Sequence, residues 1–306
     1  MKDKKLTVIL GCTASGKTNV AVHLANQING EVLSADSRQV YRGMDVGTGK
    51  DLSEFTIEGA AIPHHLIDLV DAGEEYNVFN YQKDFLTAYQ GIQERNTNAI
   101  LCGGTGMYLE AVLKGYRLLE IPNNEELRKS LANKSDEELL AELMALKKLH
   151  NTTDSIERHR LVRSMEIAVF ERDNKKEIHD YPKIEAQIFG INFERELLKE
   201  RITKRLKHRL KHEGMIAEVE ALIAAGVAPE RLKFYGLEYK LITQFLMKEI
   251  DRPALFNQLN IAIHQFSKRQ ATWFRKMERN GFTINWIDGG MPLQEKVDFI
   301  KEKIKE

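Results

Sequence analysis

The chain has 306 residues, with 45 Lys+Arg balanced by 45 Asp+Glu, 42% hydrophobic and 29% charged residues. That length suits one large domain or a core carrying an inserted module, and the composition is that of a soluble globular protein. No run of 18 apolar residues exists, which excludes a membrane-spanning helix. Two cysteines, Cys12 and Cys102, are too few for a disulfide scaffold, so a reducing cytoplasm is expected and both read as small core residues.

Met1 to Lys5 leads into only five apolar residues, too short for a signal segment, so Leu6 to Leu10 reads as a first strand. Gly11-Cys12-Thr13-Ala14-Ser15-Gly16-Lys17-Thr18 follows it and opens a helix over Thr18 to Ile28. This is the G-x-x-x-x-G-K-[ST] phosphate loop in the strand–loop–helix setting it needs. The backbone from Gly11 through Thr13, Ala14, Ser15 and Gly16 is expected to curl its N–H groups around phosphate, with the helix N-terminus adding its positive end. Lys17 supplies a mobile cation and the Thr18 hydroxyl a ligand for Mg²⁺. The loop predicts a bound di- or triphosphate but leaves the compound and its fate open.

Glu31 to Ala35 reads as the second strand, and Ser34-Ala35-Asp36-Ser37-Arg38-Gln39 continues from its end. A carboxylate there can orient Mg²⁺, take a proton, or simply form an Asp-Ser turn; spacing alone leaves these open. His65 to Val70 is a candidate strand, Val78 to Glu94 a helix, Ala99 to Cys102 a strand, and Met107 to Leu113 another helix. The alternation predicts an α/β fold, a P-loop NTPase-like parallel sheet flanked by helices, with ligands beyond the strands' carboxyl ends. The strand at Ala99 ends in Gly103-Gly104-Thr105-Gly106 rather than the Asp that supports Mg²⁺ in nucleotide hydrolases, which weakens an ATPase reading. It predicts a close approach of backbone to ligand with the Thr105 hydroxyl exposed. His64-His65 has no further ligand at metal spacing.

The rhythm breaks near Ile121-Pro122. Ser135-Asp136-Glu137-Glu138 starts a helix, and Ile156, Leu161, Met165 and Val169 recur near the helical period beside Arg158, Arg160 and Arg163. After a charged loop over Arg172 to Lys183, Ala186 to Phe193 reads as a strand. A helical insertion over 120–184 within a discontinuous core of 1–119 and 185–306 is predicted; the last third is mostly helix, with a strand near Phe282 to Ile287. The zero net charge hides two basic stretches: eight Lys/Arg against three Glu over Asn192 to His212, and five against one over His264 to Arg279. Beside a phosphate loop they suggest a polyanionic partner. In Lys268-Arg269-Gln270-Ala271-Thr272-Trp273-Phe274-Arg275, cations interleaved with aromatics suit a nucleic acid, although Trp273 and Phe274 serve equally well as core residues.

Taken together, Gly11 to Thr18, Asp36-Ser37-x-Gln39-x-Tyr41-Arg42-Gly43-Met44-Asp45, Pro63-His64-His65-Leu66-Ile67-Asp68, Gly103-Gly104-Thr105-Gly106-x-Tyr108 and the Lys268 to Arg275 run resemble the bacterial tRNA dimethylallyltransferase (tRNA isopentenyltransferase) family over nearly the whole chain. The resemblance implies transfer of a dimethylallyl group from dimethylallyl diphosphate to N6 of the adenosine 3′-adjacent to a tRNA anticodon. It implies Asp36 as general base, Thr105 assisting at the reacting centre, and Lys17 and Thr18 holding diphosphate and Mg²⁺. Ser37, Arg38 and Gln39 would touch the target base. Arg158, Arg160 and Arg163 would meet the anticodon stem-loop, joined by Lys268, Arg269 and Trp273. We expect a cytoplasmic monomer with no membrane partner.

Three positions depart from the family pattern. Cys12 stands where Pro is usual. Gly236-Leu237-Glu238-Tyr239-Lys240 replaces a Gly-Tyr-Lys-Glu segment, so no role is carried there. The diphosphate-binding arginine maps best to Arg205, with Arg201 and Arg209 as alternatives. The rival readings are a P-loop small-molecule kinase and a non-catalytic RNA-binding P-loop protein.

Overall fold

The computed structural model describes residues 4–146, 158–174 and 181–305. Ile156 and most of the charged loop before Tyr181 lie outside the described residues. Two compact units are present, one formed by residues 1–115 and 183–306, the other by 116–182.

The larger unit is built on a six-stranded sheet. Its order from one edge is Ile284–Asp288, Ala186–Asn192, Leu6–Gly11, Asn98–Gly103, Gly30–Ala35 and His64–His65, every pairing parallel. Both faces of a parallel sheet must be covered. Here alternate residues serve opposite cores. Leu6, Val8, Leu10, Leu33 and Leu101 join Tyr81, Phe85, Leu109 and Phe274 on one face. Ile9, Val32, Ile100, Phe189 and Ile191 join Val20, Leu24, Val297 and Ile300 on the other. The helices that supply these residues are Val78–Glu94, Gly106–Lys114 and Arg252–Arg279 on the first face, and Lys17–Ile28 and Leu293–Lys303 on the second.

A third core ties the C-terminal helices to the segment after the second strand. Val40, Tyr41 and Met44 pack with Leu206, Val219, Tyr239 and Leu259. Lys50 is fully buried there, its ammonium paired with Asp45 at 2.6 Å and Asp68 at 2.5 Å and donating to the Tyr41 carbonyl at 2.9 Å. Glu218 accepts the backbone N–H groups of Asp45, Val46 and Gly47 at 2.7, 2.7 and 3.0 Å. A buried cation is costly unless it is paired, so these two carboxylates and the carbonyl tie the loop to Lys50.

One predicted element differs. The candidate strand at His65 to Val70 is split into His64–His65 in the main sheet and Val70–Asp71 in a two-stranded ribbon with Tyr41–Arg42. Leu66 (φ 65°) and Asp68 (φ 54°) adopt left-handed backbone, which no strand can pass through.

The smaller unit is helical: Glu125–Leu131, Asp136–Leu146 and Arg158–Asp173 close over Leu131, Leu139, Leu143, Leu161 and Met165. Glu166 is buried at its centre. Burial opposes its ionisation, but hydrogen bonds from Arg128 and Arg163 at 2.8 Å and from the Asn124 N–H at 2.8 Å outweigh that and hold its pKa at about 2. Among the described residues no helix of the chain is long and apolar enough to cross a membrane.

Candidate active site

The strands Leu6–Gly11, Gly30–Ala35 and Asn98–Gly103 deliver three loops to one cavity of about 360 Å³ beyond their carboxyl ends. The first is the phosphate loop. Ala14 (φ 62°) and Gly16 (φ 78°) both turn through left-handed backbone, which curls the chain before the helix begins at Lys17. A Cβ on Gly11 would lie 2.5 Å from Ser15 Oγ, so only glycine fits under that curl. Ser15 itself is buried, its hydroxyl without a partner among the described residues. Lys17 and Thr18 line the cavity together with Thr13, Ala14 and Gly16.

The second loop carries Asp36, Ser37, Arg38 and Gln39 along the cavity wall. Asp36 Oδ1 accepts the Arg38 N–H at 3.0 Å, an Asx turn, while the residue faces the cavity. The expected Asp-Ser turn is therefore present, on a residue that lines the cavity. Gln39 is locked from both ends: its Oε1 accepts the Ser34 hydroxyl at 2.9 Å and its Nε2 donates to the Gly49 carbonyl at 3.2 Å. The third loop brings Thr105 to the same wall, where its Oγ1 accepts the Ser37 N–H at 3.1 Å and its own N–H donates to the Ala35 carbonyl at 3.1 Å. Two loops far apart in sequence are thus joined beside Asp36.

The structure separates the arginines of the Arg195–His212 helix. Arg201 donates through Nε to the Ala14 carbonyl at 3.0 Å and lies over the Phe193 ring at 4.4 Å, so it braces the loop from behind. Arg209 also lines the cavity, where its Nη2 donates to both Asp51 carboxylate oxygens at 2.9 and 2.8 Å. Arg205 lines the cavity and donates to the Thr13 hydroxyl. Burial, then the neighbouring Arg209 charge, pull its guanidinium down to about 10, still a full cation near neutral pH. Cys12 and Cys102 are free and buried; burial raises the Cys12 thiol and pushes Cys102 up to about 12, as suits core residues rather than nucleophiles.

The long Arg252–Arg279 helix supplies the residue that sequence reading passed over. Gln270 accepts the Thr13 N–H at 2.8 Å and donates to the Gly104 carbonyl at 3.0 Å, bridging the phosphate loop to the glycine loop. A signal existed: Gln270 lies on the buried stripe Leu259, Ile263, Ser267, Phe274 and Met277, a polar residue at an apolar position. Arg269 lines the cavity and also, with Lys268, Trp273, Lys276 and Arg279, a separate open groove. Trp273 packs on Gly106, where a Cβ would approach its ring to 2.3 Å, and the Lys276 ammonium lies 4.7 Å from its centroid. Glu54 and Glu238 also reach the cavity, and burial raises both carboxyls.

In the smaller unit Arg158 pairs with Asp136 at 2.6 Å and donates to the Leu131, Ala132 and Lys134 carbonyls, closing the end of the first helix. Arg163 donates to the Ile121 carbonyl at 2.6 Å and to Glu166. Arg160 is exposed.

Mg²⁺ fits a site of this kind. Among the described residues no group of three or more His, Cys, Asp or Glu is placed to hold a metal. The cavity offers the Thr18 hydroxyl beside Lys17 instead. Mg²⁺ is suited to few protein ligands, with phosphate oxygens and water completing its shell.

Comparison with known proteins agrees with this architecture. The model of the IPP transferase family matches residues 39–277, and that of isopentenyl transferase matches residues 4–59. A relative from Bacteroides fragilis named tRNA dimethylallyltransferase 2 is 52% identical over 306 residues, covering 100% of both chains. Another from Parabacteroides distasonis, named tRNA dimethylallyltransferase 1, is 51% identical over 97% of this chain and 96% of its own. The solved structure of a tRNA isopentenylpyrophosphate transferase from Bacillus halodurans superposes with a TM-score of 0.71 at 30% identity, over 99% of this chain and 97% of that one.

Proposed function

The chain belongs to the IPP transferase family, and from that premise we propose that it transfers the dimethylallyl group of dimethylallyl diphosphate to N6 of the adenosine immediately 3′ of a tRNA anticodon, releasing diphosphate. The observation that carries this reading is the composition of one cavity: Lys17, Thr18 and Arg205 line it together with Asp36 and Thr105. A cationic phosphate grip and a carboxylate share one space, which supplies both the charge neutralisation a departing diphosphate needs and an acceptor for the amine proton.

An adenine amine is a weak nucleophile because its lone pair is delocalised into the ring. The Asp36 carboxylate takes the amine proton as the N–C bond forms. As the allylic C–O bond breaks, negative charge grows on the diphosphate, and Lys17, Arg205 and the loop N–H groups stabilise it. Burial of Arg205 strengthens that interaction, since its charge acts in a low-dielectric surrounding. Mg²⁺, when held by the Thr18 hydroxyl, supplies further neutralisation of the phosphate oxygens. Thr105 and Ser37 hold the base-side wall; Arg38 and Gln39 border the target base. The base leaves the loop stack to enter, at a cost of a few kcal/mol.

On the RNA side, Arg269, Lys268 and Trp273 meet tRNA beside the cavity. The helical unit meets the anticodon stem-loop, with Arg160 at its surface and Arg158 and Arg163 holding its helices together. The enzyme works in the cytoplasm as a monomer. Mass spectrometry of nucleosides after incubation of tRNA with the protein, Mg²⁺ and dimethylallyl diphosphate tests the reading. It predicts a gain of one isoprenyl unit on the adenosine beside the anticodon, and an unmodified adenosine there would overturn it.

A further inference from the structure

Glu238 is a carboxyl that the reaction above does not use. It stands in the first turn of the Leu237–Leu246 helix, preceded by Gly236 at φ 122°, and it lines the cavity. Among the described residues its carboxyl is hydrogen-bonded only by its own backbone N–H. The groups that act on it come from two elements. Arg205 and Arg209 of the Arg195–His212 helix favour its charge, and Asp36 opposes it.

The rest of the wall explains why its charge state matters. Arg209 is already neutralised by Asp51. Arg38 stands beside Gly236, and Lys17 and Arg269 complete the cations of the wall. Against them stand Asp36, Glu54 and Glu238, none in an ion pair among the described residues. Before a ligand enters, these carboxylates offset the cations. A diphosphate brings several negative charges next to Arg205, and an ionised Glu238 there would face both that anion and Asp36. Like charges sharing an enclosed site cannot all stay ionised. Asp36 keeps a donor from another residue, the Arg38 N–H, whereas among the described residues Glu54 and Glu238 have none. Of these two, Glu238 acts the more strongly on Arg205, the cation assigned to the diphosphate, and is the one placed to meet that anion.

We propose that Glu238 binds the diphosphate as a neutral acid, its carboxyl O–H donating a hydrogen bond to a phosphate oxygen beside Arg205, so that donor binding is coupled to holding one proton on this side chain. This rests on the reading of the cavity as a diphosphate site. Burial already raises the carboxyl toward the neutral form, which supports the assignment. The proton comes from solvent or is present before binding; no covalent bond changes.

The test is isothermal titration of the intact protein with dimethylallyl diphosphate and Mg²⁺ at pH 6, 7, 8 and 9. At pH 8 it is repeated in two buffers of different ionisation enthalpy. Wild type is expected to take up protons on binding and to lose donor affinity as pH rises. Glu238→Gln, neutral at every pH and still a hydrogen-bond donor, should bind within about threefold of wild type at pH 6. It should be less pH-dependent, by up to about tenfold per unit in the alkaline range, the limit for one linked proton. Ionisation of the diphosphate itself affects both proteins equally. Equal proton uptake and equal pH slopes in wild type and Glu238→Gln would overturn the proposal, as would wild type taking up no protons at pH 8, a result that needs no variant to fold. If wild type bound no diphosphate at any pH, the reading of the cavity itself would fall, and the two failures are thereby distinguished.

Discussion

The Ser37 backbone N–H donates to the Thr105 hydroxyl at 3.1 Å, which fixes the loop bearing Asp36 to the glycine loop that follows the Asn98–Gly103 strand. Replacing Thr105 by Val keeps the shape but leaves that N–H without its acceptor, a loss of about 1–3 kcal/mol at a part-buried donor. We expect kcat to fall by roughly tenfold or more on that scale, with the donor's KM within about threefold. Thr105→Ser should restore most of the rate. Equal rates for Thr105→Val and wild type would show that this hydroxyl has no bearing on Asp36.

Gln270 ties Thr13 to Gly104 through two hydrogen bonds and is 6% exposed. Gln270→Leu removes both and strands the Thr13 N–H and the Gly104 carbonyl. Urea unfolding should show a loss of about 2–3 kcal/mol, and titration should show weaker diphosphate binding because the loop is no longer braced. A stability unchanged within 0.5 kcal/mol, the usual scatter of a neutral surface change, would contradict the bridging role.

The readable parts of this site were those set by local chemistry. A strand, a glycine-rich turn and a helix follow one another over Leu6 to Ile28, so the phosphate loop is written in consecutive residues. Asp36 and Thr105 are each placed by the end of their own strand. Gln270 and Glu238 were harder to read as site residues: a polar residue on an apolar stripe is the one hint of Gln270, and each reaches the cavity from a helix more than 100 residues beyond the last of those loops, brought in by tertiary packing. The basic run over Asn192 to His212 showed that cations were available, but not that Arg201 would serve the Ala14 carbonyl, that Arg209 would reach the cavity paired with Asp51, and that Arg205 would line it beside Thr13. The strand expected over His65 to Val70 failed for a different reason. Its left-handed turns fall on Leu66 and Asp68 rather than on glycines, so composition carried no warning.

Away from the site, Glu31 anchors the sheet edge. Hydrogen bonds from Arg95 at 2.9 and 2.7 Å, then from His65 and Thr97, hold its pKa at about 2 against burial. A carboxyl depressed from 4.5 to about 2 gives stability that is full above pH 4.5 and is lost as pH falls through about 2. Glu31→Gln should therefore cost about 3 kcal/mol at pH 7, and the gap to wild type should close as the pH approaches 2. Denaturant midpoints at pH 7 and pH 3 check this; a gap that widened in acid would reverse the sign and reject the pairing.

In the proposed reaction Asp36 takes the proton from the attacking amine. Asp36→Asn is the sharpest probe, because the amide oxygen can still accept the Arg38 N–H and keep the turn. The decisive measurement is the single-turnover rate of dimethylallyl transfer to tRNA, with tRNA binding measured alongside. A fall of at least ~10²-fold in that rate is expected, with tRNA affinity retained. A single-turnover rate in Asp36→Asn equal to that of wild type would contradict it.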